Sequence, residues 1–226
     1  MSQLDSGLWL FEDWLGLQDA QTTYLRPVSV AQLLAYLSFV SDPKKLRIRA
    51  IGAGHSTSDV ARPYRRPGAA AARAGIVVRT DRMALACADE ASAWWRPGVE
   101  SQDKLMRVEA GASIATLNRR FFDAGLAFPN LGSYDQQAIA GALATATHGT
   151  GMVTPPLCDL VASIELVTFL RGANGQPRLA HLRIEPRGGP TDRAKFDAAA
   201  ATHGMELWRD TDPDDDAFYS AVVGIG

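Results

Sequence analysis

The feature that most constrains this chain is a turn of small residues directly after a short apolar segment. Ile48, Ala50 and Ile51 give the segment the character of a β-strand, and residues 52–56 read Gly-Ala-Gly-His-Ser. The two glycines permit a sharp bend and a close approach of the backbone to a ligand. Consecutive backbone N–H groups in such a turn can form a nest that binds a pyrophosphate. Residues 52–61 contain no lysine or arginine, so backbone and hydroxyl donors would hold any phosphate there.

A second stretch with the same character lies further along the chain. Residues 128–133 read Phe-Pro-Asn-Leu-Gly-Ser, and residues 141–151 read Gly-Ala-Leu-Ala-Thr-Ala-Thr-His-Gly-Thr-Gly. The first stretch alone is a weak signal, since it lacks the lysine of a P-loop and the third glycine of a dinucleotide-binding fingerprint. Together the two stretches resemble the flavoprotein family of vanillyl-alcohol oxidase type, which has a PCMH-type FAD-binding domain. The likeness is greatest to its branch of sugar-lactone oxidases (gulonolactone and arabinonolactone oxidases) and alditol oxidases, and it extends from about Trp14 to the last residue.

The resemblance implies an α+β fold, in which a two-lobed PCMH-type FAD-binding domain holds FAD between its lobes. A small, mainly parallel lobe is expected over about residues 20–80, and a larger antiparallel lobe over about residues 104–226. Residues 1–226 then form one FAD-binding domain. The sequence stops in an apolar, glycine-containing run at residues 222–226, where a substrate domain follows in the family. We therefore expect this chain to be the amino-terminal part of a longer protein.

Matched residue by residue, the resemblance assigns cofactor contacts to both stretches. The expected FAD-binding residues are Gly52, Ala53, Gly54, His55, Ser56, Thr57, Gly132, Ser133, Gly141, Thr145, Thr147, His148, Gly149 and Gly151. His55 stands where this branch of the family carries FAD covalently, through the methyl group at position 8 of the flavin ring. Histidine suits that attachment because the residue type titrates near neutrality and its neutral form is a nucleophile. For His148 a structural hydrogen bond to a local carbonyl is favoured over direct catalysis.

Gly132 bears on how a reduced flavin is reoxidised. In the resembled family the residue at this place faces the flavin near C4a, and a side chain there can obstruct dioxygen. Glycine has no Cβ, so an open route and an oxidase are expected rather than a dehydrogenase. The alternative is that Gly132 only shapes the turn after Asn130. Ser133 is expected close to the flavin ring and the substrate.

The reaction implied by the resemblance is hydride transfer to flavin N5 from a carbon that bears a hydroxyl group, followed by reduction of O2 to H2O2. The substrate is expected to be a sugar lactone, an alditol or a related alcohol. In the family the catalytic base and the substrate-orienting arginine belong to the later domain, so no catalytic residue is assigned here. Two alternatives stay open: a dehydrogenase that passes electrons to a cytochrome or quinone, and a binding module without turnover.

Composition excludes several other classes. An apolar content of 46% with 21% charged residues is that of an ordinary globular protein, and a net charge of −2 gives no sign of nucleic acid or an anionic membrane as partner. Cys87 and Cys158 match no metal or redox spacing, and the four histidines share no zinc spacing, so no metal site is expected. The sequence has no basic amino-terminal region before an apolar run and no apolar run of membrane-spanning length. These features favour a cytoplasmic location.

Local signals predict the secondary structure around the two stretches. Ser29 and Ser113 are expected to cap two helices, and Gly125 to end the second. The apolar faces expected for these helices are Leu33, Leu34, Leu37 and Val40 in the first, which Pro43 ends, and Ile114, Leu117, Phe121 and Phe122 in the second. A short helix over residues 137–146 would point its first N–H groups at a pyrophosphate.

The remaining segments carry simpler signals. Alternating or β-branched residues predict strands over residues 76–79, 105–110 and 159–169, and a hairpin turn at residues 172–175 leads into a strand over residues 178–184. Residues 192–203 are expected to be helical. Residues 62–75 are rich in arginine, proline and alanine, and they favour a solvated loop over a phosphate contact. The pair Trp94–Trp95 favours packing over a partner surface.

Overall fold

The computed structural model describes residues 5–12, 19–56, 58, 60, 74–88, 93–99, 105–209 and 215–224. The strands are β1 (Ser6–Glu12), β2 (Asp19–Leu25), β3 (Leu46–Ile51), β4 (Ala74–Arg79), β5 (Ala86–Ala88), β6 (Met106–Val108), β7 (Ile164–Arg171), β8 (Pro177–Glu185) and β9 (Glu206–Arg209). The helices are α1 (Val30–Leu37), α2 (Ile114–Asp123), α3 (Ile139–Ala144), α4 (Arg193–Ala198), α5 (Ala200–His203) and α6 (Asp216–Val222). The predicted mixture of helices and strands, an α+β fold, is confirmed.

The first lobe is built on a four-stranded sheet with the order β1-β2-β4-β3. β4 runs parallel to both of its neighbours, while β1 and β2 form an antiparallel pair at one edge. Val77 and Val78 of β4 are buried, as expected of an interior strand with a continuous apolar run. This sheet is mainly parallel, as the resemblance implies.

Helix α1 begins where its sequence predicts and ends earlier. The Ser29 hydroxyl accepts a hydrogen bond from the Gln32 backbone N–H, and the Gln32 side chain accepts one from the backbone N–H of Val28. The helix ends at Leu37 rather than near Pro43, because Ser38 caps it and donates its hydroxyl to the Ala35 carbonyl. Hydroxyl groups that bond to nearby backbone compete with helix continuation in this way.

Helix α2 also has the predicted ends, with one error in its predicted face. The Ser113 hydroxyl accepts from the Thr116 N–H at 3.1 Å, and Gly125 closes the helix with a φ of 71°. Phe121 packs against Phe128, but Phe122 is 80% exposed, so its assignment to the apolar face of the helix was wrong. Adjacent residues lie about 100° apart around a helix, so the two phenylalanines do not share one face.

The second lobe contains two smaller sheets. β5 and β6 form an antiparallel pair, and β7, β8 and β9 form a three-stranded sheet in that order. The predicted hairpin between β7 and β8 is confirmed, with Gly175 at a φ of 76°. β9 runs parallel to β8, so this sheet is mixed rather than purely antiparallel. The strand predicted to begin at residue 159 begins at Ile164, because a 3₁₀ turn over Leu157–Leu160 buries two apolar side chains first.

The tryptophan pair packs into the second lobe, as predicted. Trp94 makes edge contacts with Phe196 at 5.2 Å and His203 at 4.7 Å, and Trp95 is buried. The helix predicted over residues 192–203 is instead two helices, α4 and α5, which meet at Ala199. The His203 ring accounts for this break in part, since its Nε2 lies 3.0 Å from the Phe196 carbonyl oxygen and its Nδ1 accepts from the Met205 N–H.

Strand β8 uses both of its faces. Ala180, Leu182 and Ile184 point into an apolar core, while Arg183 and Glu185 lie buried on the opposite face. Such alternation is the period of a β-strand, and here both faces are covered. The loop predicted over residues 62–75 lies outside the described residues as far as residue 73, and its last two residues, Ala74 and Gly75, instead begin β4.

A partly buried carboxylate on β7 belongs to the same charged face. Glu165 Oε2 lies 3.0 Å from Arg107 Nη2 and 3.6 Å from His181 Nε2. Burial works to raise the pKa of Glu165, but the contact with His181 and the positive charges of Arg107 and Arg183 outweigh it, so the pKa lies below its usual value. As an anion, Glu165 therefore links the three-stranded sheet to β6 through its ion pair with Arg107.

Candidate functional site

The first predicted stretch and helix α3 line one cleft of about 120 Å³. Its lining residues are Ala50, Ile51, Gly52, Ala53, Gly54, His55, Ser56, Val60, Gln137, Ala138, Gly141, Ala142 and Thr145. Five consecutive predicted site residues, 52–56, therefore meet Gly141 and Thr145 of the second stretch. Thr57 lies outside the described residues.

The two glycines of the turn serve different purposes. A Cβ on Gly52 would lie 2.5 Å from the Cβ of Ala138, so only glycine lets the turn pack against the start of α3. Gly54 has a φ of 71°, a left-handed conformation that side chains disfavour. Before the turn, the Ile51 carbonyl accepts hydrogen bonds from both the backbone N–H and the hydroxyl of Thr80. Thr80 and Ala138 thus fix the turn, and neither was predicted as a site residue.

Helix α3 is shorter than predicted, and its first two N–H groups already bond to backbone carbonyls. Ile139 N–H donates to the Ala112 carbonyl at 2.8 Å, and Ala140 N–H donates to the Ala110 carbonyl at 3.2 Å. The expectation that these donors face a pyrophosphate was wrong, because they hold the helix against the turn before α2. What α3 gives the cleft is small side chains. A Cβ on Gly141 would meet no atom within 4 Å, so this residue borders open space.

After α3 the chain turns sharply and leads into the predicted site residues Thr147, Gly149 and Gly151, here called the second group. Thr147 N–H donates to the Ala142 carbonyl and Ala146 N–H to the Leu143 carbonyl, the paired bonds of a Schellman ending. Ala146 takes the left-handed position, with a φ of 50°, where glycine is usual. Non-glycine residues in this conformation cost about 1–3 kcal/mol and are enriched at functional sites. The hydroxyl oxygens of Thr145 and Thr147 lie 3.3 Å apart across this turn.

The second group gathers around Asn130 and does not line the cleft. Asn130 Oδ1 accepts from the Gly149 N–H at 3.0 Å, and its Nδ2 donates to the Thr154 carbonyl at 3.4 Å. A Cβ on Gly149 would overlap the Leu131 carbonyl oxygen and Asn130 Oδ1. A Cβ on Gly151 would overlap the hydroxyl oxygen of Thr154 in the same way. Gly149 therefore leaves room for the Leu131 backbone and the Asn130 side chain, and Gly151 leaves room for the Thr154 side chain.

Gly132, Ser133 and His148 lie beside this group. A Cβ on Gly132 would lie 3.2 Å from the Thr147 methyl carbon and 3.7 Å from the His148 carbonyl oxygen. His148 Nδ1 lies 2.7 Å from the Gly149 carbonyl oxygen, the kind of local contact that the structural interpretation of His148 predicts. Ser133 is exposed. The hydroxyls of Thr145 and Thr147 connect this group to the cleft.

His55 lines the cleft and stacks on an aromatic ring that the sequence analysis missed. The rings of His55 and Tyr134 are 4.5 Å apart between centroids, and their planes differ by 15°. Tyr134 follows directly after Gly132 and Ser133 in sequence. Nothing in the local pattern marks Tyr134, because its contact with His55 is made by the fold.

More than half of this chain matches a known protein family. Residues 22–173 match the family described as FAD binding domain, a span that includes both predicted stretches. This chain belongs to the PCMH-type FAD-binding family. The recognition made from the two histidine-containing stretches is confirmed.

Relatives of this FAD-binding domain are lactone and alditol enzymes. The chain is 31% identical over 192 residues to mitochondrial L-galactono-1,4-lactone dehydrogenase of Arabidopsis thaliana, an alignment covering 82% of the chain and 28% of the relative. It is 32% identical over 116 residues to alditol oxidase of Streptomyces sp., covering 51% of the chain and 24% of the relative. The chain thus spans less than a third of these relatives' length.

A solved structure supports the fold assignment. Cholesterol oxidase from B. sterolicum matches the FAD-binding domain with a TM-score of 0.60 at 17% identity, over 79% of this chain and 32% of that one. At this identity the match concerns the fold alone, and it confirms the predicted fold class. The bounds of the two lobes and the following substrate domain stay predictions. Within the described residues, no helix is long and apolar enough to cross a membrane.

Proposed function

We propose that this chain is the FAD-binding part of an oxidoreductase that oxidises the CH–OH group of a sugar lactone, an alditol or a related alcohol. The observation that carries the proposal is the cleft in which the Gly-Ala-Gly-His-Ser turn meets helix α3. Its family supports FAD as the cofactor, and the printed names of its relatives support the substrate class.

The residues of the cleft fit a flat, anionic cofactor. Gly52, Ala53, Gly54 and Gly141 keep side chains out of its path, and the space beside Gly141 is open. The polar groups that line it are the backbone of the turn, the hydroxyls of Ser56 and Thr145, and the side chains of His55 and Gln137. When bound, FAD supplies the redox chemistry, accepting a hydride at N5 and passing electrons on. The residues of this chain would bind and orient it.

A substitution at Gly141 tests this function at the binding step. Gly141→Leu is expected to weaken FAD binding at least about tenfold, since a leucine side chain takes the open space that the cofactor needs, and tenfold is only about 1.4 kcal/mol. FAD affinity is measured by fluorescence titration of the purified chain without flavin, on a His55→Ala background in which no covalent bond forms. Gly188→Leu is the matched control, because a Cβ on Gly188 also meets nothing within 4 Å and lies outside the cleft. Equal FAD affinities in both variants would contradict this cofactor position.

We further propose that His55 is the covalent attachment point. Its imidazole borders the cleft, where it would be available to the methyl group at position 8 of a bound flavin. In the net reaction an imidazole N–H and a methyl C–H are replaced by one N–C bond, and the two hydrogens reduce dioxygen to hydrogen peroxide. The link prevents loss of the cofactor.

The oxidase assignment rests on Gly132, which has no Cβ to obstruct dioxygen. Gly132→Ala is expected to slow reoxidation of the photoreduced flavoprotein by dioxygen at least about tenfold, or about 1.4 kcal/mol in activation free energy. Stopped-flow absorbance measures this rate without any substrate. Because the added Cβ also approaches the Thr147 methyl group, FAD affinity is measured in the same variant. Unchanged reoxidation would show that Gly132 only shapes its turn.

A dehydrogenase is the second candidate, since the relative from Arabidopsis thaliana carries that name. Reoxidation of the reduced wild-type protein distinguishes an oxidase from a dehydrogenase. Fast reoxidation by dioxygen with stoichiometric hydrogen peroxide supports the oxidase, whereas slow reoxidation with fast reduction of a dye, a cytochrome or a quinone supports the dehydrogenase.

A further inference from the structure

We propose that Tyr134 is a positioning residue for His55. Its phenol ring holds the plane of the imidazole at the edge of the cleft, so that a ring nitrogen is presented to the FAD. This inference rests on the proposed covalent link. It concerns the rate at which the link forms rather than the affinity for FAD.

The geometry of the ring pair carries the inference. A centroid separation of 4.5 Å with planes 15° apart is that of stacked aromatic rings. His55 borders the cleft whereas Tyr134 is absent from its lining, so the phenol supports the imidazole from outside the cleft. A stacked partner covers a face of the imidazole, while the nitrogen lone pair and the N–H lie in the ring plane. Stacking therefore restricts rotation about χ2 and leaves the reactive edge of His55 accessible.

Tyr134 can act as a platform because its segment is tied to the core. The next residue, Asp135, accepts the Ala115 N–H at 2.8 Å, and Gln137 accepts the Ile114 N–H at 3.0 Å. Both donors lie in the first turn of α2, whose Ile114 belongs to the core cluster that also contains Ile139 of α3. The backbone next to Tyr134 is thus anchored to α2, which shares a core cluster with α3 of the cleft wall, although Tyr134 itself is 43% exposed.

The first test compares the rate of covalent attachment in two variants. The chain without flavin is mixed with FAD, and the adduct is followed by intact mass after acid quenching. Tyr134→Leu is expected to slow attachment about fivefold, the effect of losing one aromatic stack. Tyr134→Phe keeps the ring and is expected to attach flavin near the wild-type rate. Tyr219→Leu, which removes another exposed tyrosine outside the cleft, is the matched control.

NMR spectra of the chain without FAD test the stacking of Tyr134 on His55 independently of attachment. The His55 ring protons are expected to be shifted upfield by the phenol ring in NMR spectra of the wild type and Tyr134→Phe, but not of Tyr134→Leu. FAD affinity measured on a His55→Ala background is expected to be unaffected by Tyr134→Leu.

The outcomes separate this inference from the proposed function. Wild-type attachment rates in Tyr134→Leu, or equal slowing in Tyr134→Phe, overturn the positioning role. Unshifted His55 protons in the wild type overturn the stacking itself. A wild type that binds FAD without forming an adduct overturns the covalent link, and with it positioning for attachment, whatever the NMR spectra show about stacking.

Discussion

A chain in which His55 is replaced by alanine is expected to bind FAD and to carry no covalent flavin. Acid denaturation of the wild type should leave a species heavier by the mass of FAD, and the added mass should map to the peptide that contains His55. His55→Ala should give the unmodified mass, with all FAD released. Complete loss is expected because no other described histidine lines the cleft, and a single nucleophile forms the bond.

His148 is the informative comparison for that result. It lies in the other predicted stretch, and its Nδ1 contacts the Gly149 carbonyl oxygen. His148→Ala is therefore expected to retain the covalent flavin. An adduct that survives in His55→Ala and disappears in His148→Ala would reverse the two roles. Free FAD from the wild type, with no adduct, would keep FAD binding and remove the attachment role of His55.

The cleft was predictable in part because the small residues that form its turn are consecutive in the sequence. Residues 52–56 follow an apolar strand, and small residues are needed wherever backbone meets a ligand or another backbone. Gly52 shows the limit of that argument. Its need for glycine comes from Ala138, a contact between residues far apart in the chain. Tyr134 and Asn130 were missed for the same reason, since each acts through a neighbour that only the fold provides.

Helix starts that are capped by serine were predicted better than helix faces. Ser29 and Ser113 cap their helices because a side-chain oxygen accepts an N–H only three residues away, an interaction that sequence alone specifies. The exposed Phe122 and the break at Ala199 depend on what each residue meets in three dimensions. The first N–H groups of α3 were assigned to a ligand although they bond to Ala110 and Ala112. Backbone donors at a helix start find whichever acceptor the fold places nearest.

The largest loss of stability is expected from Glu185→Gln. The carboxylate is fully buried and accepts hydrogen bonds from Arg183 Nε at 2.8 Å, Arg209 Nη2 at 2.8 Å and the Thr191 N–H at 3.2 Å. The amide has nearly the same volume but no charge, and its NH2 group faces guanidinium donors. Arg183, itself 3% exposed, then loses its main counter-charge. Removing one partner of a buried ion pair costs about 3–5 kcal/mol, and we expect the free energy of unfolding in urea to fall by that amount.

Glu206→Gln is the matched control on the same sheet, since Glu206 forms a two-point pair with Arg178 that is about half exposed. Exposed pairs contribute about 0–1 kcal/mol, so this variant should unfold close to the wild type. Equal losses in both variants would contradict a stabilising role for the buried carboxylate. The other face of β8 packs against Leu143 and Ala146, where α3 ends beside the cleft. If Glu185 affects the site only through overall stability, folded Glu185→Gln should bind FAD with wild-type affinity. Weaker FAD binding by the folded variant would instead show that the sheet determines the conformation of the turn at Ala146.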